Sequence, residues 1–425
     1  MVTRLKSLSA TIFTLVCFSC GNQKPAPAQP KLEPPKSKVT SIAVPKSRDA
    51  DDVARFLAGM KSRPGSPFAP LEESAAWKQH SSEFDAAFAR YDKERLPAMR
   101  AFQKSELSGP AFDKANLFYP FGGPDFLNAI QFFPDRENYF FVGLEPPGTV
   151  PAFKQFAGED MASQLPRMRK TLRSLLALTY FQTLEMKIQV QGQITDGLLP
   201  LMLVQMERTG NTVLGWTPIV LDDDGMAVLP PKPEAGDEAK PAPSVHNPWK
   251  VTHGILLEFQ KEGSGVPQHL FYVSTDVQDF YIDQNKPFTN FLARMQPNDA
   301  MFKAASYLCH RDRQPGRKTP TFATIREKTL EYAQAVVEDD SGIPYRLFDP
   351  NVWDIALYGQ YVTPINIFKM RLQPDLVEAY HRSNVRKLDF GIGYSVTKMQ
   401  SNLMVAVKKK LPGAAVQTAA AKQDK

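Results

Sequence analysis

Residues Asn116–Gly148 read NLFYPFGGPDFLNAIQFFPDRENYFFVGLEPPG, and this stretch decides the fold. Leu117–Phe121 is an apolar run of strand length. Gly122 and Gly123 follow, where a sharp turn is cheap only for residues without a Cβ. Pro124 suits the first position of a helix, and Asp125 puts negative charge at its N-terminus. Phe126, Leu127, Ile130 and Phe133 recur at helical spacing, and Pro134 stops that helix. Tyr139–Leu144 is a second apolar run, short enough for a buried strand. The stretch therefore predicts strand, tight turn, helix, strand.

Upstream, Asp49, Asp51 and Asp52 open a helix that runs to Met60. Glu72–Leu107 carries Trp77, Phe84, Phe88, Tyr91, Met99 and Phe102 near one helical face, with Pro97 set to kink or split it. Downstream, Ala162–Thr183 is a helix with a Leu165, Met168, Leu172 and Leu175 stripe. Gly197–Met206 is apolar almost all round and reads as buried helix. Asn211–Leu221 and Met226–Leu229 form a strand pair across the turn Asp222–Gly225. Trp249–Gln260 and Leu270–Thr275 form a hairpin. The spacing predicts two short helices over Lys286–His310, broken near Pro297, and one helix over Thr321–Val337. Val352–Val362 is read as strand, Gln373–Ser383 as helix, and Leu388–Val396 and Leu403–Val407 as closing strands. The class is α+β, a mixed sheet packed with several helices. The body spans 49–411, in one piece or as lobes 49–229 and 249–411. The Pro-rich stretch 230–248 is then either a linker or a surface insertion, and the tail 412–425 is expected to be disordered.

The chain has 425 residues, 43% hydrophobic and 23% charged, which suits a folded core. A formal charge of +6 without a dense basic stripe argues against nucleic acid as partner. GxSxG, HExxH and a phosphate loop are all missing, and the six histidines do not fall at metal-ligand spacing. No cofactor and no metal are predicted.

The first residues speak to compartment. Arg4 and Lys6 precede the short apolar run Leu8–Phe18, which is too short to span a bilayer. Small Ser19 then precedes Cys20. This resembles a bacterial lipoprotein signal, although Cys17 and Phe18 stand where the pattern has Leu and a small residue. The resemblance implies a signal peptide over 1–19 and lipidation, typically with palmitate among the acyl chains, at Cys20. Residues 20–48 are then a proline-rich tether, with Pro25, Pro27, Pro30, Pro34, Pro35 and Pro45 keeping it extended. In the body, YPFGGPDF, GLEPPG, DDSGIPYRLFD and LDFGIGYS resemble a set of secreted bacterial proteins with no assigned activity, which implies no chemistry.

Four polar residues are candidates for a site. Asp125 follows the Gly-Gly-Pro turn. Glu145 ends a buried strand, where open sheets present ligand-binding groups. His310 closes a helix beside the basic loop Arg311–Lys318, a position that favours its protonated form. Asp340 lies in a tight loop before Gly342. An acid and a histidine brought together could do acid–base work. Arg167, Arg169, Lys170 and Arg173 form a basic helix face that could meet an anionic surface. The leading expectation is a lipid-tethered cell-envelope protein, periplasmic or on the cell surface, that binds or scaffolds an envelope protein or glycan. An envelope hydrolase acting on glycan or peptide is one alternative. A lipid or envelope-assembly accessory protein is the other.

Overall fold

The Asn116–Gly148 stretch folds as its pattern predicts, and it forms the centre of a sheet. A computed structural model describes residues 38–150, 161–178, 197–231, 251–313, 320–382, 384–395 and 400–409. Cys20, most of the tether, the 232–250 stretch and the tail lie outside the described residues. The strands are β1 (Asn116–Tyr119), β2 (Asn138–Gly143), β3 (Asn211–Leu221), β4 (Ala227–Val228), β5 (His253–Lys261), β6 (Pro267–Ser274), β7 (Asn298–Phe302), β8 (Ala333–Glu338), β9 (Trp353–Gly359) and β10 (Asn402–Lys408). They stand in one sheet in the order β4-β3-β5-β6-β2-β1-β7-β8-β10-β9. The five central strands β6-β2-β1-β7-β8 are parallel, and the flanking strands join antiparallel. This is an α+β fold on a mixed sheet. β1 and β2, from the first expected lobe, lie between β6 and β7 from the second, so both halves share the sheet.

Alternation explains why the central strands are apolar on both faces. Leu117, Tyr139, Leu270, Met301 and Val337 point to one core, with Trp77, Phe84, Phe126 and Met202. Phe118, Phe140, Phe271, Ala300 and Val336 point to the other, with Phe288, Phe291 and Ile325. Pro97 splits the expected long helix into Ala75–Glu94 and Leu96–Glu106, which meet at Arg95. Leu199–Arg208 is the expected buried helix.

Three stretches differ from the pattern reading. Lys286–Arg294 is helical, but Asn298–Phe302 is a strand, buried at all five residues. A strand covered on both faces shows no alternation to read. The helix expected over Thr321–Val337 ends at Tyr332, and AQAVVE continues as β8, where its β-branched residues suit an extended backbone. Leu388–Tyr394 is irregular rather than strand, apart from an isolated bridge at Ile392.

The centre of the sheet is a topological switch. β1 crosses to β2 through the Phe126–Phe132 helix, whose apolar residues join the first core. β7 crosses to β8 through the Ala323–Tyr332 helix, whose Ile325 joins the second. The two crossovers leave adjacent parallel strands in opposite directions and on opposite faces. Their loops part at the carboxyl ends of β1 and β7, the place where open sheets bind ligands.

Candidate functional site

At that switch point the loops after β1, β7 and β8 bring charged groups together. Asp125 caps the Phe126–Phe132 helix, its Oδ1 accepting from Asn128 N at 3.2 Å and from Asn128 Nδ2 at 2.9 Å. Its Oδ2 accepts from Tyr119 Oη at 2.9 Å and lies 2.8 Å from Lys303 Nζ. The Lys303 and Asp125 side chains are each only 2% exposed. Asp339, at the end of β8, accepts from Ala304 N at 2.9 Å, from Ser341 N at 3.0 Å and from Ser341 Oγ. Ser341 Oγ in turn accepts from Ala305 N at 2.7 Å. Burial pushes the Asp339 carboxyl up, and the hydrogen bonds from Ser341 and Ala304, and last the Lys303 charge, pull it partly back.

The neighbouring loop is strained. Ala304, Ser306 and Tyr307 have φ of 50°, 55° and 56°, and Phe121 has 62°. Left-handed non-glycine residues persist where the surroundings over-determine them, and they cluster at functional sites. Here Tyr394 Oη supplies that constraint, donating to the Ala304 carbonyl at 2.9 Å and meeting Ser306 N and Oγ at 3.0 and 2.9 Å. Gly393 (φ +67°) lies so close to Asp339 that a Cβ would collide with Oδ2.

Asp340 and His310 extend the cluster. Asp340 Oδ2 accepts from Tyr307 Oη at 2.8 Å and Oδ1 from Asn402 Nδ2 at 2.9 Å. Burial, and then the charge of Asp339, raise Asp340 to about 6. Burial holds Glu338 well above the usual carboxylate range. His310 lies edge-on to Tyr307, ring centres 5.2 Å apart, in the Leu308–His310 turn. Its Nε2 is buried without a hydrogen-bond partner among the described residues. Burial lowers His310 to about 4, and the nearby Asp340 backbone only partly opposes this. The expected protonated histidine at a helix end is therefore corrected to a neutral one. Glu145 lies at the β2 end toward β6, where its backbone carbonyl accepts from Tyr272 Oη at 2.7 Å. The fold thus gathers Asp125, Asp340 and His310 around the β1, β7 and β8 ends, and Glu145 to one side of them. Tyr119 lies in YPFGGPDF, Asp339 and Ser341 in DDSGIPYRLFD and Tyr394 in LDFGIGYS, whereas Lys303 lies in no such segment, and the pairing of strands brings all five into the cluster.

The cluster is closed. Asp125, Lys303, Asp339 and Ser341 are at most 4% exposed. The cavity beside Glu338, Asp340, Tyr380 and Asn402 is about 10 Å³, room for about one water. The described residues contain no acidic, histidine or cysteine group that could hold a metal. Chemically, the arrangement can neutralise buried charge and fix three loops. It has no room for a substrate without movement.

The opposite edge is open. Where the chain enters β1 and β2, a cleft of about 540 Å³ lies between Leu107–Ala115 and Phe132–Glu137. Leu107, Phe112, Phe132 and Phe133 line it, with Asp113, Lys114, Asp135, Arg136 and Glu137 as its charged groups. Arg136 stacks 4.9 Å from the centre of the Phe133 ring and pairs at 2.7 Å with buried Asp299 of β7. Burial raises Asp299 to about 7, against the pull of Arg136.

The basic helix is partly engaged within the molecule. Within Met161–Leu178, Arg169 lies 3.2 Å from Glu83 and Arg173 also pairs with it, while Arg167 and Lys170 are exposed. Cys309 is buried and burial raises its thiol pKa, in keeping with a small core residue. No family model, no curated protein and no solved structure matches this chain.

Proposed function

We propose that the protein is a lipid-tethered component of a bacterial cell envelope, with a binding or scaffolding role centred on the cleft at the amino ends of β1 and β2. The observation that carries this reading is the contrast in room. The cleft is about 540 Å³, within the usual range for small-ligand sites, while the polar cluster at the other edge is sealed. Leu107, Phe112, Phe132 and Phe133 form the floor and are themselves nearly buried, so the charged groups and loop backbone around them would supply most of the recognition. The sealed cluster lends the hydrolase alternative no open site. The tether rests on the sequence: Ser19-Cys20 after an apolar run, followed by a proline-rich segment. Acyl chains at Cys20 would each bury methylenes worth about 0.8 kcal/mol apiece, and more than one chain gives stable attachment.

The test has two arms. Cys20→Ser should move the protein from the membrane fraction to the soluble fraction with the body still folded. On that soluble background, native mass spectrometry against a muropeptide and envelope-peptide digest should detect bound ligand, and Ala115→Trp, which places a bulky ring in the cleft, should weaken it. Ligand retained at equal occupancy by the Ala115→Trp protein would move the site elsewhere.

A further inference from the structure

Away from both edges, the Arg48–Leu57 helix is fastened to the Leu199–Arg208 helix through two acids. Asp51 is 4% exposed and Glu207 is 3% exposed, and Asp51 stands one helical turn before Arg55, the residue that reaches Glu207, which puts the two carboxyl groups side by side. Glu207 Oε1 accepts from Val213 N at 3.1 Å, and Arg55 Nη1 lies 3.5 Å from Oε2. Arg63 Nε donates to Asp51 Oδ2. The remaining oxygen, Asp51 Oδ1, is buried and has no donor among the described residues. An orphaned buried acceptor is costly, and two ionised carboxylates side by side out of water cost more. One proton cures both faults. Carried by Glu207, it would supply the donor that Asp51 Oδ1 lacks and remove one of the two charges.

The surrounding charges do not replace that proton. Asp52 is engaged by Arg63 N at 3.2 Å and Arg48 at 3.9 Å. Glu72 accepts from Ser62, Arg208 pairs with Asp85 at 2.6 Å, and Glu262 acts on Arg63 only through space. Arg55 and Arg63 offset charge on the pair. Neither donates to Asp51 Oδ1.

We infer that Asp51 and Glu207 share one proton, and that this carboxyl–carboxylate bond is a latch holding the Arg48–Leu57 helix to the body. Burial first, and then the charge of Asp51, hold Glu207 at about 8, above the 4.5 of a free glutamate. The sign follows from linkage. With the docked value raised, the stabilisation is complete below about 4.5 and is lost as pH rises to about 8. Once the Arg48–Leu57 helix has left, the Glu207 that remains on the body binds no proton in that window, so the opening constant should rise by about tenfold per pH unit and level off above 8.

Amide exchange of Ala54–Leu57 in the full chain, corrected for intrinsic rate, reads that constant. Protection should fall by about tenfold per unit from pH 6 to 8 and then level off. In Glu207→Gln the side-chain amide donates to Asp51 Oδ1 at every pH, and the slope should vanish. Equal slopes in the two proteins would overturn the latch. Should the variant fold poorly, the side-chain carboxyl ¹³C shift of Glu207 in the unaltered protein decides. It should report a protonated acid at pH 6.5, and an ionised one there would equally overturn the proposal.

Discussion

The two ends of the parallel strands differ in how they treat charge. At the carboxyl ends, Lys303, Asp125 and Asp339 are withdrawn from water and satisfied by one another and by loop amides. At the amino ends, Arg136 and Asp299 are just as buried, yet their pair backs onto an open cleft with exposed Asp135 and Glu137. The edge with more chemistry is the edge with less access. A dense set of ionisable side chains is thus weak evidence for a reaction when each finds its partner inside the protein. The closed edge acts as a clasp over the switch point, and the open edge presents a surface.

The largest effect should come from breaking the clasp. Lys303→Ala leaves Asp125 buried without its counter-charge, which should cost about 3–5 kcal/mol in urea unfolding. Combining it with Asp125→Ala should recover part of that loss, because the two residues act as one unit. A loss under about 1 kcal/mol for the single change would mean that the ion pair does not hold this edge together.

The same substitution should have a smaller effect, and a different one, at each edge. Gly393 and Gly109 both have positive φ, +67° and +90°. A Cβ at Gly393 would collide with Asp339, whereas one at Gly109 meets nothing within 4 Å. Gly393→Ala should therefore cost about 3 kcal/mol, from overpacking and backbone strain together. Gly109→Ala, on the cleft rim, should cost only about 1 kcal/mol, from the backbone alone. Equal thermal shifts for the two would erase the distinction between a packed edge and an open one.

The contrast also marks how far the sequence can be read. The Gly122-Gly123-Pro124 turn, the acidic helix start at Asp125 and the apolar runs on either side announce the sheet centre, because each is local, although the helix begins at Phe126 with Asp125 as its cap rather than at Pro124. Gly123 has φ +54°, as that turn requires. β7 and the β8 half of the Thr321–Val337 stretch are hidden because their residues are buried on both faces, which removes the period. The clasp is half legible. Asp125 and Asp340 lie in recognisable turns, whereas Lys303 in MFKAAS looks like any surface lysine until β7 is set beside β1. The cleft is not legible at all, since it arises from two loops whose neighbourhood depends on β1 pairing with β2.

The polar edge is closed and the opposite edge open, and thiol labelling reads this directly. On the Cys20→Ser background, Ala115→Cys places a thiol in the cleft and Ser341→Cys places one in the clasp, where Ser341 is 0% exposed. Reaction with a maleimide under native conditions should be fast for Ala115→Cys. For Ser341→Cys it should be slower by a factor of about a thousand or more, since a core position reacts only through opening transitions. Labelling of Ser341→Cys at a rate near that of Ala115→Cys, in protein with native circular dichroism, would contradict the account and return the switch point to the status of an accessible site.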